Sequence, residues 1–141
     1  EGGIIYTDTK MAYMGINKKA LSKTQCELKY LIDDEKVFTM SKDLNTTRSA
    51  AAIDMAVAEG IDMFVIGNAP TALFRLLELV KEGKVNPKFI VGVPVGFVGA
   101  AESKEYLRKF NIPSLSTVGY KGGSNVAASI VNALLYMVVG R

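Results

Sequence analysis

The feature that most restricts the fold is a set of short, continuous apolar segments, most of them followed by a stretch with helical spacing. Met63-Phe64-Val65-Ile66 and Phe89-Ile90-Val91-Gly92-Val93 are two such segments, and Ile4-Ile5-Tyr6 near the start is a third. A strand with one wet face alternates apolar and polar residues, whereas unbroken apolar runs suit strands covered on both faces. Val37-Phe38-Thr39-Met40 and Leu115-Ser116-Thr117-Val118 are weaker strand candidates. Residues 49–59 are alanine-rich, with Ile53, Met55, Ala56 and Val57 on the apolar side and Gly60 as a stop. Residues 71–82 carry Leu73, Leu76, Leu77 and Val80 at helical spacing before Gly83. Residues 100–110 form a more polar helix, residues 124–139 a strongly apolar one, and a short helix is expected over 9–14. Residues 17–34 are the least regular and read as a surface excursion.

This alternation, repeated about five times, predicts a three-layer α/β fold: an open parallel sheet of about five strands with helices on both faces. Right-handed crossovers bring the strand-to-helix loops to one edge. Ligands of such sheets bind beyond the carboxyl ends of the strands, near a switch point in strand order. A length of 141 residues suits a single domain over 1–141, and a hydrophobic fraction of 49% can fill its core. No apolar run approaches the roughly 20 residues of a membrane span. One cysteine, Cys26, excludes an internal disulfide, and without histidine it gives no metal-ligand spacing. A reduced, cytoplasmic location is expected. The net charge of +3 favours an anionic ligand. The basic residues are scattered without aromatic interleaving, so no nucleic-acid partner is expected.

The loops at that edge carry the candidate chemistry. In Asn45-Thr46-Thr47-Arg48-Ser49, any of the first three residues can cap the following helix, which leaves Arg48 in its first turn. A cation is unfavourable at a helix amino end, so an anionic ligand would explain it, against the plain alternative of a solvated rim arginine. Gly67-Asn68-Ala69-Pro70-Thr71 places proline where its missing N–H costs nothing, and the amides exposed there can hold a carboxylate or phosphate. The plain alternative is an ordinary helix start. After the fourth strand, Gly96 and Gly99 permit close backbone approach, while Phe97 and Val98 are either core plugs or the wall of a flat apolar ligand site. Gly119-Tyr120-Lys121-Gly122-Gly123-Ser124-Asn125 resembles a phosphate-gripping loop but fits no standard fingerprint, and both G-x-G-x-x-G and the P-loop pattern are absent. No Ser/His/Asp set or Cys/His pair exists, and Asp33-Asp34 lies in an expected turn. Together the loops predict a cleft for a sizeable anionic molecule.

At these loops the sequence resembles the precorrin-8X methylmutase family, also called cobalt-precorrin-8 methylmutase. The segments that carry the resemblance are Asn45-Thr46-Thr47-Arg48-Ser49-Ala50-Ala51-Ala52, Ile66-Gly67-Asn68-Ala69-Pro70-Thr71-Ala72-Leu73-Phe74 and Gly92-Val93-Pro94-Val95-Gly96-Phe97-Val98-Gly99-Ala100-Ala101-Glu102-Ser103-Lys104. The Gly122-Gly123-Ser124 turn and residues 4–16 match as well. The resemblance implies a flavodoxin-like fold, a homodimer and an isomerase of cobalamin biosynthesis. That isomerase moves a methyl group from C-11 to C-12 of precorrin-8X or cobalt-precorrin-8, giving hydrogenobyrinate or cobyrinate by an acid-assisted 1,5-sigmatropic shift. It implies no cofactor, any cobalt belonging to the anionic tetrapyrrole substrate. The family's active-site arginine falls on Arg48. Substrate contacts are expected from Thr47 and Ser49, from Asn68 and Thr71, from Gly96, Phe97 and Val98, and from Lys121, Gly122, Gly123 and Ser124.

The resemblance also implies a proton-handling histidine and a site serine upstream of the segment that matches Ile4. The 141 residues contain no histidine. The expectation is therefore a form lacking a first, helical region, with fold and ligand affinity kept and catalysis poor. A non-catalytic tetrapyrrole-binding relative is the alternative. A nucleotide or sugar-phosphate enzyme is a third, opposed by the missing phosphate fingerprints.

Overall fold

Five strands pair side by side, all parallel, in the order β2-β1-β3-β4-β5. In chain order the elements are β1 (Gly3–Thr7), α1 (Lys10–Gly15), α2 (Lys18–Ser22), β2 (Cys26–Lys29), α3 (Glu35–Asp43), α4 (Arg48–Ala58), β3 (Met63–Ile66), α5 (Pro70–Lys81), β4 (Phe89–Gly92), α6 (Ala100–Arg108), β5 (Ser114–Ser116) and α7 (Ser124–Val139). The structure, a computed structural model, describes residues 3–24, 26–31, 34–43, 46–95, 99–116 and 122–139.

The three central strands send successive side chains to opposite faces, which makes two cores. Tyr6, Phe64, Ile66 and Ile90 point to one face, where Val37 of α3, Ile53 of α4, Leu73, Leu76 and Leu77 of α5 and Leu107 of α6 cover them. Val65 and Val91 point to the other, against Ala20 and Leu21 of α2 and Ala127, Val131 and Leu135 of α7. This double covering is why β3 and β4 read as continuous apolar runs. Helix ends are equally local in origin. Gly60 and Gly83 take positive φ values of 83° and 76°. They close α4 and α5 with the paired bonds of a Schellman turn, Ile61 N–H to the Ala56 carbonyl (3.1 Å) and Lys84 N–H to the Leu79 carbonyl (3.0 Å).

Two expectations are corrected. Val37-Phe38-Thr39-Met40 lies inside α3 and is no strand. Val37 and Ser41 are buried and Met40 half-buried while Phe38 is exposed, which is helical spacing. The second strand is Cys26–Lys29, within the segment read as an irregular excursion, which also contains α2. As an edge strand β2 has a neighbour on one side only, so its Cys-Glu-Leu-Lys sequence lacks the unbroken apolar run of a central strand. Ser114–Ser116 forms β5, while Thr117 and Val118 of the fifth strand candidate lie outside the described residues.

Leu76 is fully buried between α5 and the sheet, whereas Met137 on α7 is 81% exposed. Leu76→Ala is expected to cost about 2–5 kcal/mol, and Met137→Ala to stay within about 0.5 kcal/mol of the parent. Urea denaturation midpoints of the two variants measure the difference.

Candidate functional site

Helix starts from both faces converge at the carboxyl edge of the sheet. α1 and α7 begin there on one face, α4 and α5 on the other. Each pair is joined by hydroxyls. Thr9 caps α1 by accepting from Ala12 N–H, and its Oγ1 lies 2.7 Å from Ser124 Oγ at the start of α7. Thr47 caps α4 by accepting from Ala50 N–H at 3.1 Å, and its Oγ1 donates to Thr71 Oγ1 of α5, also at 3.1 Å. Deeper down, Arg75 Nε donates to Asp54 Oδ1 at 2.8 Å and ties α5 to α4. The expectation that the Thr47 loop follows a strand is corrected: α3 precedes it, and the Thr47–Thr71 bond is what shows that the start of α4 reaches the site edge.

Strand order reverses between β1 and β3, where this sheet class holds its ligands. That crevice is filled from within. Asp8, directly after β1 and 1% exposed, accepts from Gly67 N–H through Oδ1 (2.8 Å) and from Asn68 and Ala69 N–H through Oδ2 (3.0 Å each). Burial pushes the carboxyl of Asp8 up, and the amides of Gly67, Ala69 and Asn68 oppose that push. Every one of these partners is a donor, so the ionised form is the one the turn satisfies. The amides expected to hold a ligand's carboxylate or phosphate thus already hold the protein's own. Among the described residues, the three amides of this turn are therefore already taken and do not offer themselves to an external phosphate.

Gly122 and Gly123 serve close approach. Gly123 N–H donates to the Val93 carbonyl at 2.9 Å. A Cβ on Gly122 would collide with that same carbonyl oxygen and lie 2.8 Å from the Pro94 oxygen. The start of α7 is thereby pressed onto the end of β4. Gly99 begins α6 against Pro70 of α5. Within the same motif Lys104 is completely buried, and burial, with Arg108 nearby, pushes its ammonium down.

Of the residues singled out in the sequence, Thr47, Arg48, Asn68 and Thr71 are exposed and lie on the α4–α5 side, with Ser49 half-buried behind them. Gly122, Gly123 and Ser124 lie at the α7 start. Asn45, Gly96, Phe97, Val98 and Lys121 fall outside the described residues. Among the described residues Arg48 has no acidic partner, and no group of three or more His, Cys, Asp or Glu is placed to hold a metal ion. No helix among them is long and apolar enough to cross a membrane. Sequence reasoning missed Asp8 and Thr9. The available signal was an acid and a hydroxyl directly after an apolar strand, at the edge where this fold puts its sites.

The precorrin-8X methylmutase family (CbiC) matches residues 1–137. The chain belongs to the precorrin-8X methylmutase family. Among curated members, it is 55% identical over 135 residues to the cobalt-precorrin-8 methylmutase of Salmonella typhimurium, covering 94% of this chain and 62% of that protein. The cobalt-precorrin-8 methylmutase of Priestia megaterium is 43% identical over 134 residues, covering 94% of this chain and 60% of that protein. The chain therefore spans about three fifths of the length of these relatives. The solved precorrin-8X methylmutase of Thermus thermophilus superposes with a TM-score of 0.86 at 31% identity, covering 96% of this chain and 67% of that one. A solved precorrin-8X methylmutase related protein gives 0.88 at 35%, covering 97% and 72%.

Within this methylmutase-family chain the Gly122 contact is the sharpest steric test of the site edge. The neighbouring atoms are backbone and cannot rotate away. Gly122→Ala is expected to destabilise by about 1–3 kcal/mol, the scale of overpacking, read as a lowered thermal midpoint.

Proposed function

We propose that the protein takes part in corrin biosynthesis as an isomerase that moves a methyl group from C-11 to C-12 of precorrin-8X or cobalt-precorrin-8, yielding hydrogenobyrinate or cobyrinate. Any cobalt belongs to the substrate. Arg48 carries the reading. Its guanidinium is exposed, has no acidic partner among the described residues, and sits in the first turn of α4. The helix's own positive end repels a cation there. A carboxylate of the macrocycle relieves that repulsion, and the paired hydroxyls of Thr47 and Thr71 supply polar contacts beside it. Met11, in the first turn of α1, and Val95, just beyond β4, are exposed apolar side chains that leave the carboxyl ends of their strands and suit a flat ring. The Asp8 plug favours a ligand lying across the edge over one threaded into the crevice. Arg48→Ala is expected to weaken affinity for hydrogenobyrinic acid by about 1.5–3 kcal/mol, the scale of a charge-assisted hydrogen bond. Absorbance titration measures it, and unchanged affinity would return Arg48 to the status of a solvated rim residue.

A second reading is a tetrapyrrole binder that holds the ring without rearranging it. In the isomerase reading the acid-assisted shift draws its proton from a histidine, so this chain alone is expected to bind but turn over poorly. Turnover of precorrin-8X measured beside the titration separates the cases. Rates comparable to a full-length relative's would refute the histidine requirement. Tight binding with no turnover, unchanged when the chain is supplied within a longer, histidine-containing protein, would favour the binder. In either case a cytoplasmic homodimer is the assembly we propose.

A further inference from the structure

Asp8 makes no ligand contact in the binding scheme above, yet it is the carboxylate on which the edge converges. Three amide donors reach it at 2.8, 3.0 and 3.0 Å, contributed by residues 59 to 61 positions away. The turn they belong to touches the rest of the site. A Cβ on Gly67 would meet Ala127 Cβ and Ser124 Cα at 2.9 Å, so the turn is seated directly on the start of α7. The Asn68 carbonyl accepts from Val95 N–H at 3.4 Å, towards the loop after β4. Thr71, two residues past the turn, meets Thr47 beside Arg48. Ala69, which opens α5, has no side-chain cap of its own. The Asp8 carboxylate instead holds the three amides that lead up to the helix, Ala69 included, from a different strand.

We propose that Asp8 is a positioning residue of the site, whose carboxylate holds the 67–69 turn from beneath and so sets where Asn68 and Thr71 are presented to the ligand. Asp8 does not reach the ligand surface itself, since it is 1% exposed. The proposal rests on the corrin reading for the identity of the ligand, and on the hydrogen bonds alone for the geometry.

Two variants test it. Asp8→Asn keeps the shape but turns an –NH2 towards at least one amide donor. Asp8→Gly leaves a carboxylate-sized gap lined by three N–H groups, which formate can enter. Both are expected to bind hydrogenobyrinic acid roughly tenfold or more weakly than the parent. Formate added at constant ionic strength restores affinity to Asp8→Gly but not to Asp8→Asn, and chloride restores neither. A purely structural residue would give a different result: formate would raise the melting temperature of Asp8→Gly, while affinity measured well below that temperature matched the parent throughout. That outcome, or formate without effect on affinity, overturns the proposal. Should Asp8→Gly not fold, the loss of affinity in folded Asp8→Asn decides, and failure of both variants to fold also overturns it. If the parent itself does not bind hydrogenobyrinic acid, the functional reading fails independently. The positioning claim is then judged by the backbone amide resonances of Asn68 and Thr71, which must move in Asp8→Asn together with those of Gly67 and Ala69.

Discussion

The carboxylate of Asp8 against the amides of Gly67, Asn68 and Ala69 is the interaction around which the site edge is arranged. A doubly wound sheet leaves a crevice where strand order reverses, and burying backbone N–H groups there without partners would cost a few kcal/mol each. An acid placed directly after β1 satisfies three of them together. Burial remains the larger effect on this carboxyl, and the same bonds work against it, since donors around a carboxylate favour its charged form. Each side of the contact therefore makes the other sustainable. The β1–β3 junction closes as a result, and a rim of helix starts lies above it.

That rim depends on the two cores beneath. Period-2 alternation in β1, β3 and β4 sends Phe64 and Ile90 to the α3–α6 face and Val65 and Val91 to the α7 face. The sheet is thus clamped between layers, and helix starts on opposite faces are brought to a common edge. Small residues permit the close contacts this needs. Gly15 sits against Ala128, Gly67 against Ala127, and Gly122 against the Val93 carbonyl. A side chain at Gly67 or Gly122 would hold the start of α7 away from the strand ends, and one at Gly15 would part α1 from α7.

The central strands were legible because burial on both faces leaves a continuous apolar signature, as in Met63–Ile66 and Phe89–Gly92. The edge strand was not. Cys26–Lys29 is covered less completely and carries Glu27 and Lys29, so nothing in its composition marks a strand. Val37-Phe38-Thr39-Met40 misled for the opposite reason: four residues are too few to separate a helical turn from a strand by periodicity. Thr47 as a helix cap, with Arg48 in the first turn after it, was legible because capping rules are local. Asp8 was invisible to such rules because its partners lie about sixty residues away, and only the parallel pairing of β1 with β3 brings them together. The Gly67-Asn68-Ala69 amides were expected to meet a ligand's carboxylate or phosphate, and the carboxylate they hold is the protein's own Asp8.

The hydroxyl pairs at the helix starts have a consequence of their own. In the Thr9–Ser124 pair, at 2.7 Å, either oxygen can be the donor. Rotation about both Cβ–Oγ bonds reverses the direction of the bond without moving a heavy atom. Such a pair meets an approaching acceptor or an approaching donor equally well, and so carries no preference of its own between an acid and its amide. On the proposed binding scheme, discrimination by charge along this edge falls to fixed cations such as Arg48. The hydroxyls would then give tolerance, and the guanidinium selectivity.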